Sequence, residues 1–137
     1  MKLKILLLPL LMLVASLAKA EKPQDGTPDI SFAKTSYDFG VIPENGGSVT
    51  HTFEFTNTGN APLLIVNASA SCGCTRPEYP RKPINPGKKD KITVTYNPKG
   101  RPGEFTKTVT VRTNIKGKKK LTLKIKGNVT PANRPKP

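Results

Sequence analysis

The chain has 137 residues, with 23 lysines and arginines against 9 aspartates and glutamates, giving a formal net charge of +14. That length leaves room for one domain with a modest core and excludes a second core. With no tryptophan, 5 phenylalanines and 14 prolines, no long stretch keeps the three-and-four spacing of an amphipathic helix, and no glycine-rich phosphate loop is present.

Two lysines, Lys2 and Lys4, open the chain, and residues 5–14 are apolar apart from Pro9. Small residues follow and end in Ala18-Lys19-Ala20. A basic head, a short apolar middle and a small-residue end make a secretory signal peptide. The apolar run falls short of the ~20 residues a membrane span needs. Residues 1–20 are therefore expected to be cleaved after Ala20, leaving a mature chain of about 117 residues with no transmembrane segment. No cysteine stands at a lipoprotein-like cleavage position. The expected address is outside the cytoplasm, in the periplasm or the extracellular space.

Residues 21–28 are polar and turn-rich and read as a flexible leader. Short extended pieces follow at Asp29–Ala33 and Tyr37–Ile42. After the turn Pro43-Glu44-Asn45-Gly46-Gly47, the residues from Ser48 to Thr56 alternate. Val49, His51, Phe53 and Phe55 point one way and Thr50, Thr52, Glu54 and Thr56 the other, the period-two mark of a half-buried strand. Asn57-Thr58-Gly59-Asn60 is turn chemistry, and Pro62–Ala68 is a compact apolar run. Ser69–Gly87 reads as a loop, holding both cysteines and four prolines. Alternation returns at Lys88–Asn97 (Ile92, Val94, Tyr96 inward), at Glu104–Thr113 (Phe105, Val109, Val111) and at Lys118–Val129 (Leu121, Leu123, Ile125). About seven short strands with turn signals between them predict an all-β, immunoglobulin-like antiparallel sandwich over residues 29–130. The remaining residues, 131–137, are read as a disordered tail.

The residues Phe39-Gly40, Asn57-Thr58-Gly59, Pro62-Leu63-x-Ile65, Cys72-Gly73-Cys74-Thr75, Pro86-Gly87, Tyr96, Gly103-x-Phe105-x-Lys107, Thr113-Asn114 and Gly127-x-Val129 occur in that order. This set resembles the bacterial domain-of-unknown-function 1573 family of exported proteins. It is also similar to the abnormal-spindle/hydin and major-sperm-protein domains. The resemblance runs from about Tyr37 to Val129 and implies the same fold and export. It implies no activity.

Chemistry-bearing residues are few. Cys72 and Cys74 are the only cysteines, and an oxidising address favours disulfides. Residues two apart on an ideal strand have Cα atoms roughly 6.5–7 Å apart, at the upper edge of disulfide reach, and Gly73 permits a tighter bend. Three readings stay open: a local disulfide, a thiolate pair for Cu(I), or thiols without chemistry. His51, the only histidine, is read as packed beside the core. The acidic residues are sparse and unpaired, so carboxylate-pair hydrolysis has no support. No cofactor is expected.

Charge is unevenly spread. Residues 21–75 hold two basic and six acidic side chains, whereas residues 76–137 hold 18 basic and three acidic. The densest stretch is Lys116, Lys118, Lys119, Lys120, Lys124 and Lys126, of which Lys118, Lys120, Lys124 and Lys126 would share one face of a strand. In an exported protein such a patch suits an envelope protein, an acidic glycan or an anionic lipid surface, not nucleic acid. The expectation is a non-enzymatic binding or scaffold module of the cell envelope. The alternative is a thiol redox or Cu(I)-handling protein acting through Cys72 and Cys74.

Overall fold

The computed structural model describes residues 26–118 and 120–133. The expected signal peptide, residues 21–25 of the leader, Lys119 and residues 134–137 of the tail lie outside the described residues. The described chain is built of strands: β1 (Ile30–Phe32), β2 (Ser36–Pro43), β3 (Val49–Asn57), β4 (Ile65–Ala70), β5 (Thr75–Glu78), β6 (Lys89–Tyr96), β7 (Gly103–Thr113) and β8 (Lys120–Thr130). They form two four-stranded sheets, ordered β1-β3-β6-β5 and β2-β8-β7-β4.

The two sheets pack as a sandwich because each alternating strand has one apolar face. Phe53 and Phe55 of β3, Ile92, Val94 and Tyr96 of β6, Val109 and Val111 of β7, and Leu123, Ile125 and Val129 of β8 are almost wholly buried between them. Burying each such side chain is worth roughly 1.5–3 kcal/mol, and this shared interior holds the layers together. The outward positions of β3 and β6 carry threonine rungs, Thr50 facing Thr95 and Thr52 facing Thr93, with Oγ1 atoms 3.1 and 3.5 Å apart. The expected immunoglobulin-like sandwich is therefore the observed fold.

Two details differ from the sequence expectation. One pair is parallel: β2 runs alongside β8, with Tyr37 opposite Ile125 and Ile42 opposite Val129. Alternation reports which face is buried, not which strand lies beside it, so direction was not legible. The Ser69–Gly87 stretch is also more ordered than a loop. It contains β5, which pairs with β6, and Ile84, which bridges Leu63 through reciprocal backbone hydrogen bonds of 2.9 and 2.7 Å. Prolines obscured β5, but it is an edge strand, and an edge tolerates Pro77 because one side needs no donor.

The Asn57-Thr58-Gly59 turn is fastened from inside. Asn57 is fully buried, and its side-chain amide donates to the carbonyls of Ala61 (2.8 Å) and Ile84 (2.9 Å) while its Oδ1 accepts from Gly59 N–H (3.0 Å). A side chain at Gly59 would run into the backbone of Thr27, Pro28 and Asp29, so this turn also clamps the residues leading into β1.

Candidate functional site

The chain passes from one sheet to the other between β4 and β5, and both cysteines sit in that crossing turn. Ser71 holds its near end, its N–H donating to the Thr108 carbonyl (2.9 Å) and its Oγ accepting from Thr108 N–H (3.2 Å). Asn97 N–H holds the far end by donating to the Cys74 carbonyl at 2.9 Å. The turn brings the Cys72 and Cys74 Cα atoms to 5.4 Å, tighter than an extended strand would, and places the sulfurs at disulfide distance. Cys74 is buried in the core cluster, with its sulfur 3.6 Å from Thr75 Oγ1. Cys72 is half-buried, and its sulfur accepts a hydrogen bond from Cys74 N–H at 3.1 Å.

The pair opens onto a groove of about 620 Å³ whose lining includes Tyr96, Arg101, Glu104, Phe105 and Lys107. Tyr96 and Phe105 stack at its floor, ring centroids 3.9 Å apart. Burial raises the Tyr96 phenol above its ordinary pKa, with the Arg101 charge acting in opposition. The Arg101 side chain is steadied by donation from Nη1 to the Lys99 carbonyl at 2.9 Å. Sequence reasoning singled out the cysteines but not Arg101, and it placed Lys107 in a family motif without joining it to them. Lys107 breaks the apolar alternation of β7 between Phe105 and Val109, and that break was the available signal. Among the described residues, no group of three or more His, Cys, Asp or Glu side chains comes together to hold a metal.

The lysine patch is divided. Lys120, Lys124 and Lys126 face outward on β8 and are exposed. Lys118 and Lys116 precede the strand in the β7–β8 turn, so Lys118 does not share the face as expected; its Nζ lies 3.8 Å from Asp29. Lys126 lies 3.8 Å from Asp38 on β2. Both pairs are exposed, where such contacts contribute little. Sequence reasoning missed Arg112, which β7 places opposite Lys120 on the same face. Exposed Val41 on β2 and Val66 on β4 lie on the two edge strands of this sheet.

His51 is half-buried between the sheets, stacked on Tyr37 with centroids 3.7 Å apart and meeting Phe53 edge-on at 4.7 Å. Burial, assisted by the charge of Lys34, holds its pKa below the ordinary histidine value.

This fold defines an immunoglobulin-like β-sandwich domain. The chain belongs to the family described as protein of unknown function (DUF1573), whose model matches residues 30–129. A search of curated proteins finds no significant sequence match. Among solved structures, the fold is similar to a protein of unknown function from Porphyromonas gingivalis W83 (TM-score 0.61, 17% identity), over 75% of this chain and 46% of that one. It is also similar to the human CEP192 ASH/PapD-like domain 7 (TM-score 0.63, 15% identity), over 97% and 99% of the two chains. A third match is to the secreted serine protease VesC from Vibrio cholerae (TM-score 0.57, 17% identity), over 73% of this chain but 23% of the protease. The chain thus spans less than half of the Porphyromonas protein and about a quarter of the protease, and these likenesses establish the fold alone.

Proposed function

We propose that the protein is an exported, non-enzymatic binding module of the bacterial cell envelope that docks an anionic partner through the outer face of the β2-β8-β7-β4 sheet. The observation that carries this reading is the composition of that face. Register places Arg112, Lys120, Lys124 and Lys126 on it with threonines between them, against the acidic Asp38 and Glu104. A flat face of flexible cations suits a diffuse anionic surface rather than a small ligand. His51, the only histidine, is committed to aromatic packing against Tyr37 and Phe53, which supports the non-enzymatic part of this reading.

Sedimentation with vesicles of anionic lipid tests the reading, with neutral vesicles as control and an acidic polysaccharide in parallel. Binding should be strong at low salt and fall as salt screens the face. At ~1 kcal/mol per lysine near such a surface, replacing Lys120, Lys124 and Lys126 together by glutamine should weaken it on the order of a hundredfold. Absence of binding to every anionic surface at low salt overturns the electrostatic reading.

A further inference from the structure

We propose that the Cys72–Cys74 turn is a thiol–disulfide exchange site for a cysteine-containing polypeptide, with Cys72 as the sulfur that reacts with the partner. This goes beyond the docking face, whose margin the groove meets at Glu104 and Thr106 of β7.

A disulfide across a two-residue separation removes almost no loop entropy from the unfolded chain, so it contributes little to stability by that route. Nor does the turn depend on it for position, since hydrogen bonds from Asn97 and between Ser71 and Thr108 already fix both ends. The two sulfurs are unequal. Both line the groove, but Cys72 is partly accessible while Cys74 is buried. A thiolate on Cys72 is favoured by the Cys74 N–H directed at its sulfur and by the cations Lys107 and Arg101 in the same groove, opposed by one acid, Glu104. A thiolate on Cys74 has the Thr75 hydroxyl beside it.

These positions assign the steps. A partner thiolate, drawn to the basic groove, attacks Cys72 Sγ and forms a mixed disulfide. The electron pair of the Cys72–Cys74 bond leaves on Cys74 as a thiolate next to Thr75. A second thiolate of the partner attacks its own sulfur in the mixed disulfide and releases Cys72 as a thiolate under its amide donor. The partner dithiol has lost two electrons and become a disulfide; Cys72 and Cys74 have gained them, and the two protons shed by the partner protonate the pair. The reverse sequence, against a second disulfide, restores the oxidised pair.

The test follows the folded full-length mature chain. The wild type is equilibrated in glutathione mixtures, its thiols are blocked, and the oxidised fraction is read by mass. In parallel, Cys74→Ser and Cys72→Ser proteins react with a small aromatic disulfide. The expected results are a reversible wild-type transition and a mixed disulfide on Cys72 that forms at least ~10-fold faster than on Cys74. Lys107→Gln should slow the Cys72 reaction severalfold and reduce its salt dependence, a readout that a purely structural disulfide would not move. Reduced unfolded ribonuclease should oxidise faster than reduced glutathione, marking a polypeptide partner over a small thiol. The proposal is overturned by a pair that stays oxidised in folded protein under excess dithiothreitol. It is equally overturned by a Cys72 rate no greater than that of an unstructured cysteine peptide and unaffected by Lys107→Gln. Should Cys74→Ser not fold, alkylation rates of reduced wild type and Lys107→Gln decide between the same outcomes.

Discussion

Asn57 shows what a single polar side chain does in a small core. It satisfies two buried carbonyls and one N–H at once, and burying such groups without partners costs about 1–3 kcal/mol each. Asn57→Ala should therefore lower the unfolding free energy by about 3 kcal/mol, measured by urea denaturation. Asn57→Asp should be worse at neutral pH, because a carboxylate cannot donate to Ala61 and Ile84. The sequence identified Asn57-Thr58-Gly59 as a turn, but not that its first residue faces inward, since turn propensity describes backbone angles and is silent on burial. Gly127 is a similar case: a Cβ there would meet the Phe105 ring at 2.7 Å. That ring is half of the groove floor, so Gly127→Ala should cost about 1–3 kcal/mol and disturb the surroundings of Cys72. His51 was correctly read as a packing residue. Its folded-state pKa lies below its unfolded value, so the unfolded chain binds more protons between the two. The contribution of His51 is complete above the unfolded value near 6.5 and is lost as pH falls toward the folded one. Thermal unfolding between about pH 8 and about pH 5 should show this loss in the wild type and a flatter profile in His51→Gln.

At the scale of elements, the four long alternating strands were legible because one face of each is buried and the other wet. β2 and β5 were harder, each for its own reason. β5 lies at a sheet edge and carries Pro77, so its composition imitates a loop. β2 is irregular: its register with β8 shifts between Asp38 and Val41, and Gly40 within the shift has φ +69°. Asp38 Oδ1 accepts from Gly40 N–H at 2.8 Å and fixes the bulge. An alanine there would sit in the left-handed region at a cost of about 1–2 kcal/mol. Gly40→Ala should lower the melting temperature and increase amide exchange along β2 while leaving β6 protected. The candidate site divides along similar lines. The cysteines were legible as the only pair in the chain, whereas Arg101 of the β6–β7 turn and Lys107 of β7 share their groove because those segments meet the β4–β5 turn, far away in sequence.

Across the whole molecule, charge separation along the chain becomes separation in space only in part. The C-terminal strands β7 and β8 supply a basic outer face, yet Lys118 and Lys126 each lie near an acid from the N-terminal portion, Asp29 and Asp38. These exposed contacts are too weak to neutralise the face. Charge counts therefore indicated the sign of the surface, and strand register was needed to locate it.

The parallel pairing of β2 with β8 also orders events in time. Thr130 Oγ1 donates to the Ile42 carbonyl across a separation of 88 residues, so an early strand waits for the last one. A polypeptide emerging N-terminus first, from a ribosome or a membrane pore, holds β2, Val41 included, unpaired until β8 is out. The domain can close only after the rest has been delivered, and during that interval a tethered, incomplete chain presents a sticky ribbon to whatever surrounds it. A chain cut after Asn114 should stay in that unfinished state, recognisable by dye binding to exposed apolar surface, and supplying residues 115–137 as a separate peptide should relieve it.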